Sequence, residues 1–278
     1  MIIIIFLMIT GDDMDFQHIT YEKLGAVARV SLNRPQVRNA QDRLLLRELD
    51  AAVKDAEADK EIRVVVIAAV GDHFSAGHDL KSSKIERPNP TVEERWDYEE
   101  EHFFEYCMRI HDLKKPTIAQ VQGACIAGGF MVANMCDLIV CSEDAFFSDP
   151  VAHSMGTASL EVFVHPWVMS MRKAKELLFT GRRLGAKEAY EIGMINKVVP
   201  RSDLESATME LANHVAAAPP YAVRFVKKSL NRTWDAQGFK VVLSAHFDVH
   251  QLSHMTNEFQ AHLAKGLDST IKRAKAVS

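Results

Sequence analysis

The sequence predicts an α/β fold, and three observations carry the prediction. From His18 to Phe147 strand patterns and helix patterns alternate, as parallel crossovers require. Arg63 to Val70 reads RVVVIAAV, a continuous apolar run typical of a parallel strand covered on both faces. Beyond Asp203 only helical patterns remain. A boundary near Pro200 therefore separates an α/β core, residues 14–200, from a helical C-terminal region, residues 201–278.

Each element follows from its local pattern. His18 to Lys23 and Ala26 to Asn33 alternate around Gly25 and predict a hairpin. Asn33-Arg34-Pro35 ends it, because proline cannot continue a ladder. Leu45, Leu49, Ala52, Val53 and Ala56 recur at helical spacing within Gln41 to Asp59. Gly71 to Asp79 reads as a loop, and the polar stretch Ser82 to Thr91, with two prolines, as a mobile one. Val92 to Leu113 predicts a helix with an acidic first half. Strands follow at Thr117 to Val121, Leu138 to Cys141 and Ala145 to Phe147. Asp149 to Met155 reads as irregular, and Leu160 to Thr180 as two helical pieces separated by Pro166. Gly185 to Ile192 is a short helix and Asn196 to Val199 a short strand. Leu204 to Ala217, Pro220 to Thr233, Gly238 to His254 and Asn257 to Ala264 complete the chain as helices, some expected to pack on neighbouring subunits.

Composition narrows the functional classes. The 278 residues are 47% hydrophobic, enough for a large core. A net charge of -4 with no basic block argues against a nucleic-acid partner. Cys107, Cys125, Cys136 and Cys141 form no C-x-x-C pair and lie in apolar runs, which fits buried thiols in a reducing, cytoplasmic setting. The leading MIIIIFLMI is too short to span a bilayer and lacks the features of a signal peptide. Residues 1–13 are expected to be a disordered or loosely docked extension, with Met14 as the natural start. No membrane partner is expected.

The stretch from Gly123 to Asp137, GACIAGGFMVANMCD, organises the chain. It turns from a strand into an apolar helix at Gly128 and Gly129. Glycine lets a ligand approach the backbone. The first amides of a helix have no internal partner and lie at the positive end of its dipole. Such a place holds an anion, or a carbonyl oxygen that becomes one. Tight packing of a buried helix is the alternative.

Several ordered motifs resemble the crotonase family, the enoyl-CoA hydratase and isomerase superfamily. They are Leu32-Asn33-Arg34-Pro35 with Asn39-Ala40, His73 to Lys81 (HFSAGHDLK), Lys115 to Ala119 (KPTIA), Gly123 to Asp137, Glu176 to Gly181 (ELLFTG), and Gly193 to Asn196 (GMIN). The resemblance runs from about Phe16 to the C-terminus. It implies a crotonase-like spiral of ββα turns with a helical C-terminal trimerisation region, and a homotrimer or dimer of trimers. It also implies an acyl-CoA thioester as substrate, in fatty acid metabolism, with no cofactor apart from the coenzyme A that the substrate carries. The family grips the thioester carbonyl with two backbone amides, which here would be those of His78 and Gly128. Arg38, Ala76, His78, Asp79, Leu80, Lys81, Gly128 and Met131 would line the CoA and acyl site. Lys272 and Arg273 would also reach CoA, across a subunit boundary.

The sequence departs from the family at the catalytic glutamates. Family hydratases place one three residues beyond the oxyanion glycine, which is Met131 here, and one after a proline, which is Val151 or Ala152 here. Adding water across a double bond needs a base and an acid, and these side chains supply neither. Glu161, in an apolar run, is the first substitute, with a pKa expected to rise on burial. An ion pair with Arg172 or Lys173 is its structural alternative. Asp149 and His153 follow as catalytic candidates. His246, His250 and His254 share one helix face and read as a surface or subunit-contact stripe, not a metal site. No G-x-S-x-G motif points to a serine hydrolase. The expected function is hydration or isomerisation of an enoyl-CoA. The alternatives are an acyl-CoA binding protein without turnover, and hydrolysis, decarboxylation or ring chemistry on a CoA ester.

Overall fold

A β-hairpin opens the main sheet in the computed structural model, which describes residues 15–266, 268–270 and 272–273. The apolar N-terminal extension lies outside the described residues. Strands β1 (Ile19–Leu24) and β2 (Val27–Leu32) pair antiparallel around Gly25, whose φ of +62° suits glycine. Helix α1 (Arg43–Ala58) follows, capped by the Asp42 carboxylate, which accepts from the Leu45 amide. Strand β3 (Val64–Ala69) then runs parallel to β2 and, on its other side, to β4 (Thr117–Val121).

The apolar run of β3 is explained by two distinct cores. Val65 and Ile67 face the side covered by α1, with Leu45, Leu49 and Val53. Val64, Val66 and Ala68 face the other side, where α10 (Leu204–Ala217) lays Leu204, Ala207, Ala212 and Ala216 on the sheet. The change of character near Pro200 thus marks where the strands end, while α10 packs as part of the α/β layers.

The main sheet has the order β1-β2-β3-β4-β6-β9, with β6 (Leu138–Ser142) and β9 (Lys197–Val199) extending it in parallel. A smaller sheet joins β5 (Ala124–Ile126), β7 (Phe146–Ser148) and β8 (Leu184–Gly185). Successive turns of chain give one strand to each sheet: β4 then β5, β6 then β7. The expected spiral of ββα turns is the fold. The three-residue β5 is too short to show a period in the sequence.

The structure departs from the local sequence patterns at four places. Within the expected mobile loop, Leu80–Glu86 is a helix, α2, because the Asp79 carboxylate caps it by accepting from the Ser82 amide. The helix after Thr91 comprises α3 (Val92–Glu99), a π-turn over Glu100–Glu105 and α4 (Tyr106–Asp112). Pro166 sits in the first turn of α7 (His165–Val168), where its missing N–H is harmless, and the break from α8 (Met171–Thr180) falls at Met169. A short helix, Val151–Ser154, occupies the stretch read as irregular. The later helices are α11 (Pro220–Ala236), α12 (Phe239–Ser253) and α13 (Asn257–Ala264). All four cysteines are free and buried, and burial pushes the Cys136 and Cys141 thiols up to about 12. Among the described residues no helix is long and apolar enough to cross a membrane.

Asn39 ties the loops that carry the site. It is fully buried with φ +52°, a conformation that asparagine tolerates better than most residues. Its side chain donates to the carbonyls of Val70 and His73 and accepts from the Arg34 amide. Asn39→Ala orphans these buried groups and should lower the unfolding free energy by about 3 kcal/mol. Urea unfolding checks this, and an unchanged midpoint would contradict it.

Candidate active site

The site forms where the loop after β3 meets the start of α5 (Gly128–Asn134). Backbone hydrogen bonds hold the two together: the Ser75 amide donates to Ala124 O, and the Ile126 amide to Ser75 O. Gln41 fastens the far end of the loop, its amide donating to Gly77 O and its carbonyl accepting from the Asp79 amide. Only glycine fits at position 77. Its φ is +86°, and a Cβ there would stand 2.8 Å from Ala127 Cβ and 3.2 Å from the Gly128 amide nitrogen. Ala127 itself is held at φ +50°, a strained value for a residue with a side chain.

Among the described residues this arrangement leaves the His78 amide and the first-turn amides of α5, from Gly128 to Phe130, without acceptors, and of the helix amides Gly128 lies nearest the His78 loop. The amides of Ala76, Gly77 and Asp79 donate to Arg38 O, Ser75 Oγ and Gln41 O, and that of Ala127 to Ser148 O. Those of His78 and Gly128 donate to no acceptor among the described residues. Gly128 is the first residue of α5, so its amide has no partner within the helix.

The His78 imidazole is clamped. Its Nε2 lies 2.8 Å from Glu161 Oε1, and its ring stacks on Phe103 at 3.7 Å between centroids. Phe103 belongs to the π-turn, a local irregularity that recurs at functional sites. Nδ1 lies 3.3 Å from where a Gly128 Cβ would stand. Glu161 is 3% exposed. Behind it, His250 Nε2 stands 3.8 Å from Glu161 Oε1 and 3.5 Å from Glu99 Oε2. His250 Nδ1 lies 3.0 Å from Ser159 O, and Gln251 donates to Glu99.

The partner and the pKa of Glu161 both differ from expectation. Neither Arg172 nor Lys173 pairs with it; Lys173 binds Glu176 and Glu188. Burial alone would raise the carboxyl, but His78 and His250 outweigh it and hold the pKa well below the usual carboxylate range. Glu99 is lowered in the same way, burial being overcome chiefly by its bond to His250. Burial works against charge on His250, but the two carboxylates outweigh it and raise its pKa.

The other candidates are dispersed. Asp149 is buried away from solvent, accepting from Ser159 Oγ at 2.6 Å and from the Val151 amide. Burial pushes it up to about 6 against the lowering effect of those bonds. It anchors the turn that leads into Glu161. His153 lies against α8, its Nε2 2.6 Å from Phe179 O. Met131 is fully buried and its Sδ accepts from the Val162 amide at 3.3 Å, so it supports the Glu161 segment. The Asp79 carboxylate is taken up by Ser82 and Arg34. Ala76 and Leu80 are half-buried beside His78, while Arg38 and Lys81 project exposed from the same loops. Arg273 donates to Ser154 O and Lys272 is exposed.

The histidine stripe is not a surface. His250 and His254 are buried, and His246 Nε2 lies 3.1 Å from Leu160 O, because this face of α12 packs on the segment before Glu161. Glu99, His250 and His254 bring one ligand atom each within 4.8 Å of one another. Glu99, Phe103 and Gln41 were not legible as site residues. An acidic helix and a lone glutamine carry no signal of their own before the fold brings them inward.

Two sheets wound by ββα turns, with an unpartnered amide pair at a loop–helix junction, define the crotonase class. The sequence profile described as Enoyl-CoA hydratase/isomerase matches residues 22–276, and the chain belongs to that family. It is 44% identical to EchA13 of Mycobacterium tuberculosis over 259 residues, covering 86% of this chain and 81% of that protein. It is 33% identical to the short-chain-enoyl-CoA hydratase of Clostridium acetobutylicum over 226 residues, covering 79% and 83%. A solved enoyl-CoA hydratase/isomerase from Xanthobacter autotrophicus Py2 superposes with a TM-score of 0.86 at 34% identity, over 94% of this chain and 98% of that one.

Proposed function

We propose that this protein is an enzyme of the enoyl-CoA hydratase/isomerase type that works through a thioester enolate. The observation that carries the reading is the amide pair of His78 and Gly128, free of internal acceptors on two segments in direct contact. A thioester oxygen seated between them would be stabilised as it gains charge, each donor contributing about 3 kcal/mol in a dry site. Coenzyme A enters as part of the substrate, with Arg38 and Lys81 as exposed cations near its expected path. No other cofactor is required by this chemistry. Of the acid/base candidates, Glu161 is the one in hydrogen-bond contact with the residue that bears the first amide, His78.

One observation favours a second reading. Met131 and Val151 are apolar and buried, so two-glutamate hydration cannot operate. Isomerisation, or another reaction of a CoA ester, needs fewer proton carriers, and a binding protein needs none. Turnover of short- and long-chain 2-enoyl- and 3-enoyl-CoA esters separates them. The expected result is saturable turnover that falls 10-fold or more in Glu161→Gln. Tight acyl-CoA binding with no turnover across the panel would sink the enzyme reading in favour of the binding one.

The proposed assembly is a homotrimer or a dimer of trimers, in the cytoplasm. Its support is the apolar surface of α11, where Tyr221, Phe225, Val226 and Leu230 are each more than half exposed. Light scattering at micromolar concentration should give a trimer or hexamer mass; a monomer would refute it.

A further inference from the structure

The thioester site needs a group that moves protons, and His78 enters that site twice, through its amide and through its imidazole. We propose that the His78 imidazole is the catalytic acid/base, taking up and returning the proton at Nδ1, and that Glu161 is the positioning carboxylate behind it. The proposal rests on the thioester reading above.

Glu161 cannot reach a substrate itself. Its side chain is 4% exposed, Oε1 is engaged by His78, and Oε2 is buried without a partner. The imidazole lies across it, with 22% of the His78 side chain still exposed. A carboxylate at Nε2 fixes the neutral ring with its hydrogen on Nε2, so the basic lone pair sits on Nδ1. Nδ1 accepts no hydrogen bond among the described residues and is not sealed from solvent. It lies against Gly128, the residue that bears the second amide. The α carbon of a bound acyl group is one bond beyond the gripped carbonyl. A base on the residue that holds the oxygen is therefore near the proton it must take. Stacking on Phe103 fixes the ring plane. The charged groups around the imidazole are Glu161 on its own segment, then His250 of α12 and Glu99 of α3.

One proton carrier suffices for a 1,3-proton shift on a β,γ-enoyl thioester. Nδ1 removes a proton from Cα, and the C–H electrons form a dienolate whose oxygen rests on the two amides. The imidazolium then returns that proton to Cγ. The Cα–H bond breaks, the Cγ–H bond forms, the double bond moves to α,β, and no oxidant or water is consumed. On a saturated acyl-CoA the same step is exchange of the α proton with solvent.

The test uses the full chain with butyryl-CoA in D2O and with a 3-enoyl-CoA. Wild type should exchange the α proton and form the 2-enoyl ester. His78→Gln keeps the backbone amide, so acyl-CoA affinity should stay within about threefold while kcat falls 100-fold or more. Glu161→Gln should lower kcat 10-fold or more while KM for the acyl-CoA stays within about threefold, because the carboxylate holds the ring and not the substrate. Wild-type turnover that survives in His78→Gln, or that falls only in proportion to lost binding, overturns the dyad and leaves the thioester reading standing. If His78→Gln does not fold, Glu161→Gln with full kcat, or with kcat lost only in proportion to binding, overturns it equally. A wild type that neither exchanges nor isomerises overturns the dyad and the enzyme reading together.

Discussion

Unfolding at pH 5 should require several kcal/mol less than at pH 7.5. Burial lowers the pKa of His165 to about 3, with His246 adding to it. Burial, with His250, lowers His246 to about 4. Burial also brings His254 to about 4, against the pull of Glu99. In the unfolded chain each imidazole titrates near 6.5. A group whose folded pKa lies below its unfolded one contributes stability above the unfolded value, and that contribution is lost as pH falls toward the folded value. Between pH 6 and 4.5 the unfolded chain therefore binds up to three more protons at these positions. Asp149 opposes them: at about 6 when folded it keeps its proton across the same window. His250, raised when folded, opposes them nearer neutrality. Over the groups with the largest shifts the net uptake is about two protons, a slope of about 2.7 kcal/mol per pH unit, and His102 and His111, lowered by burial, act in the same direction. Guanidinium unfolding at half-unit intervals from pH 7.5 to 4.5 measures it. A flat or rising stability on acidification would show that these imidazoles are not buried neutral.

Gly128→Ala should cost 100-fold or more in kcat/KM. The added methyl would overlap Gln41 Oε1 and lie 3.0 Å from Gln41 Cδ and 3.3 Å from His78 Nδ1. Gln41 is 2% exposed, so its side chain has no route to solvent. The loop bearing His78 must move away from α5 instead. That separates the two amides, and loss of one oxyanion donor costs about 10²–10³ in rate. Gln41→Ser alone should be close to neutral, because neither polar atom of the Gln41 side chain has a partner. Gln41→Ser combined with Gly128→Ala should recover part of the lost rate by making room for the methyl. Steady-state kinetics on the four proteins closes the cycle. Wild-type activity in Gly128→Ala would mean that the amide pair does not bind the reacting oxygen.

Helices were legible from the sequence because their signal is local. The apolar period of Leu45, Leu49, Ala52, Val53 and Ala56 needs no knowledge of what covers it. The bounds read for α10 and α13 match those of the structure for the same reason. The run RVVVIAAV announced a strand with two covered faces, and the structure supplies a separate core on each. Where elements are shorter than one period, as in β5, or where a cap decides, as in α2, pattern alone was silent or misleading.

By itself the sequence determined the family, the alternation of strands and longer helices, and the loop and glycine pair that carry the two candidate amides, and it put Met131 and Val151 where the resemblance expects glutamates. Only the tertiary structure decided what Glu161 does. The partner that holds its charge is 83 residues away, and the two meet because β3, α5 and α12 converge on one point. Burial predicts that a carboxyl is raised, whereas the imidazoles beside Glu161 reverse the sign. Charge interactions depend on distance in space, and a chain read residue by residue carries no measure of it.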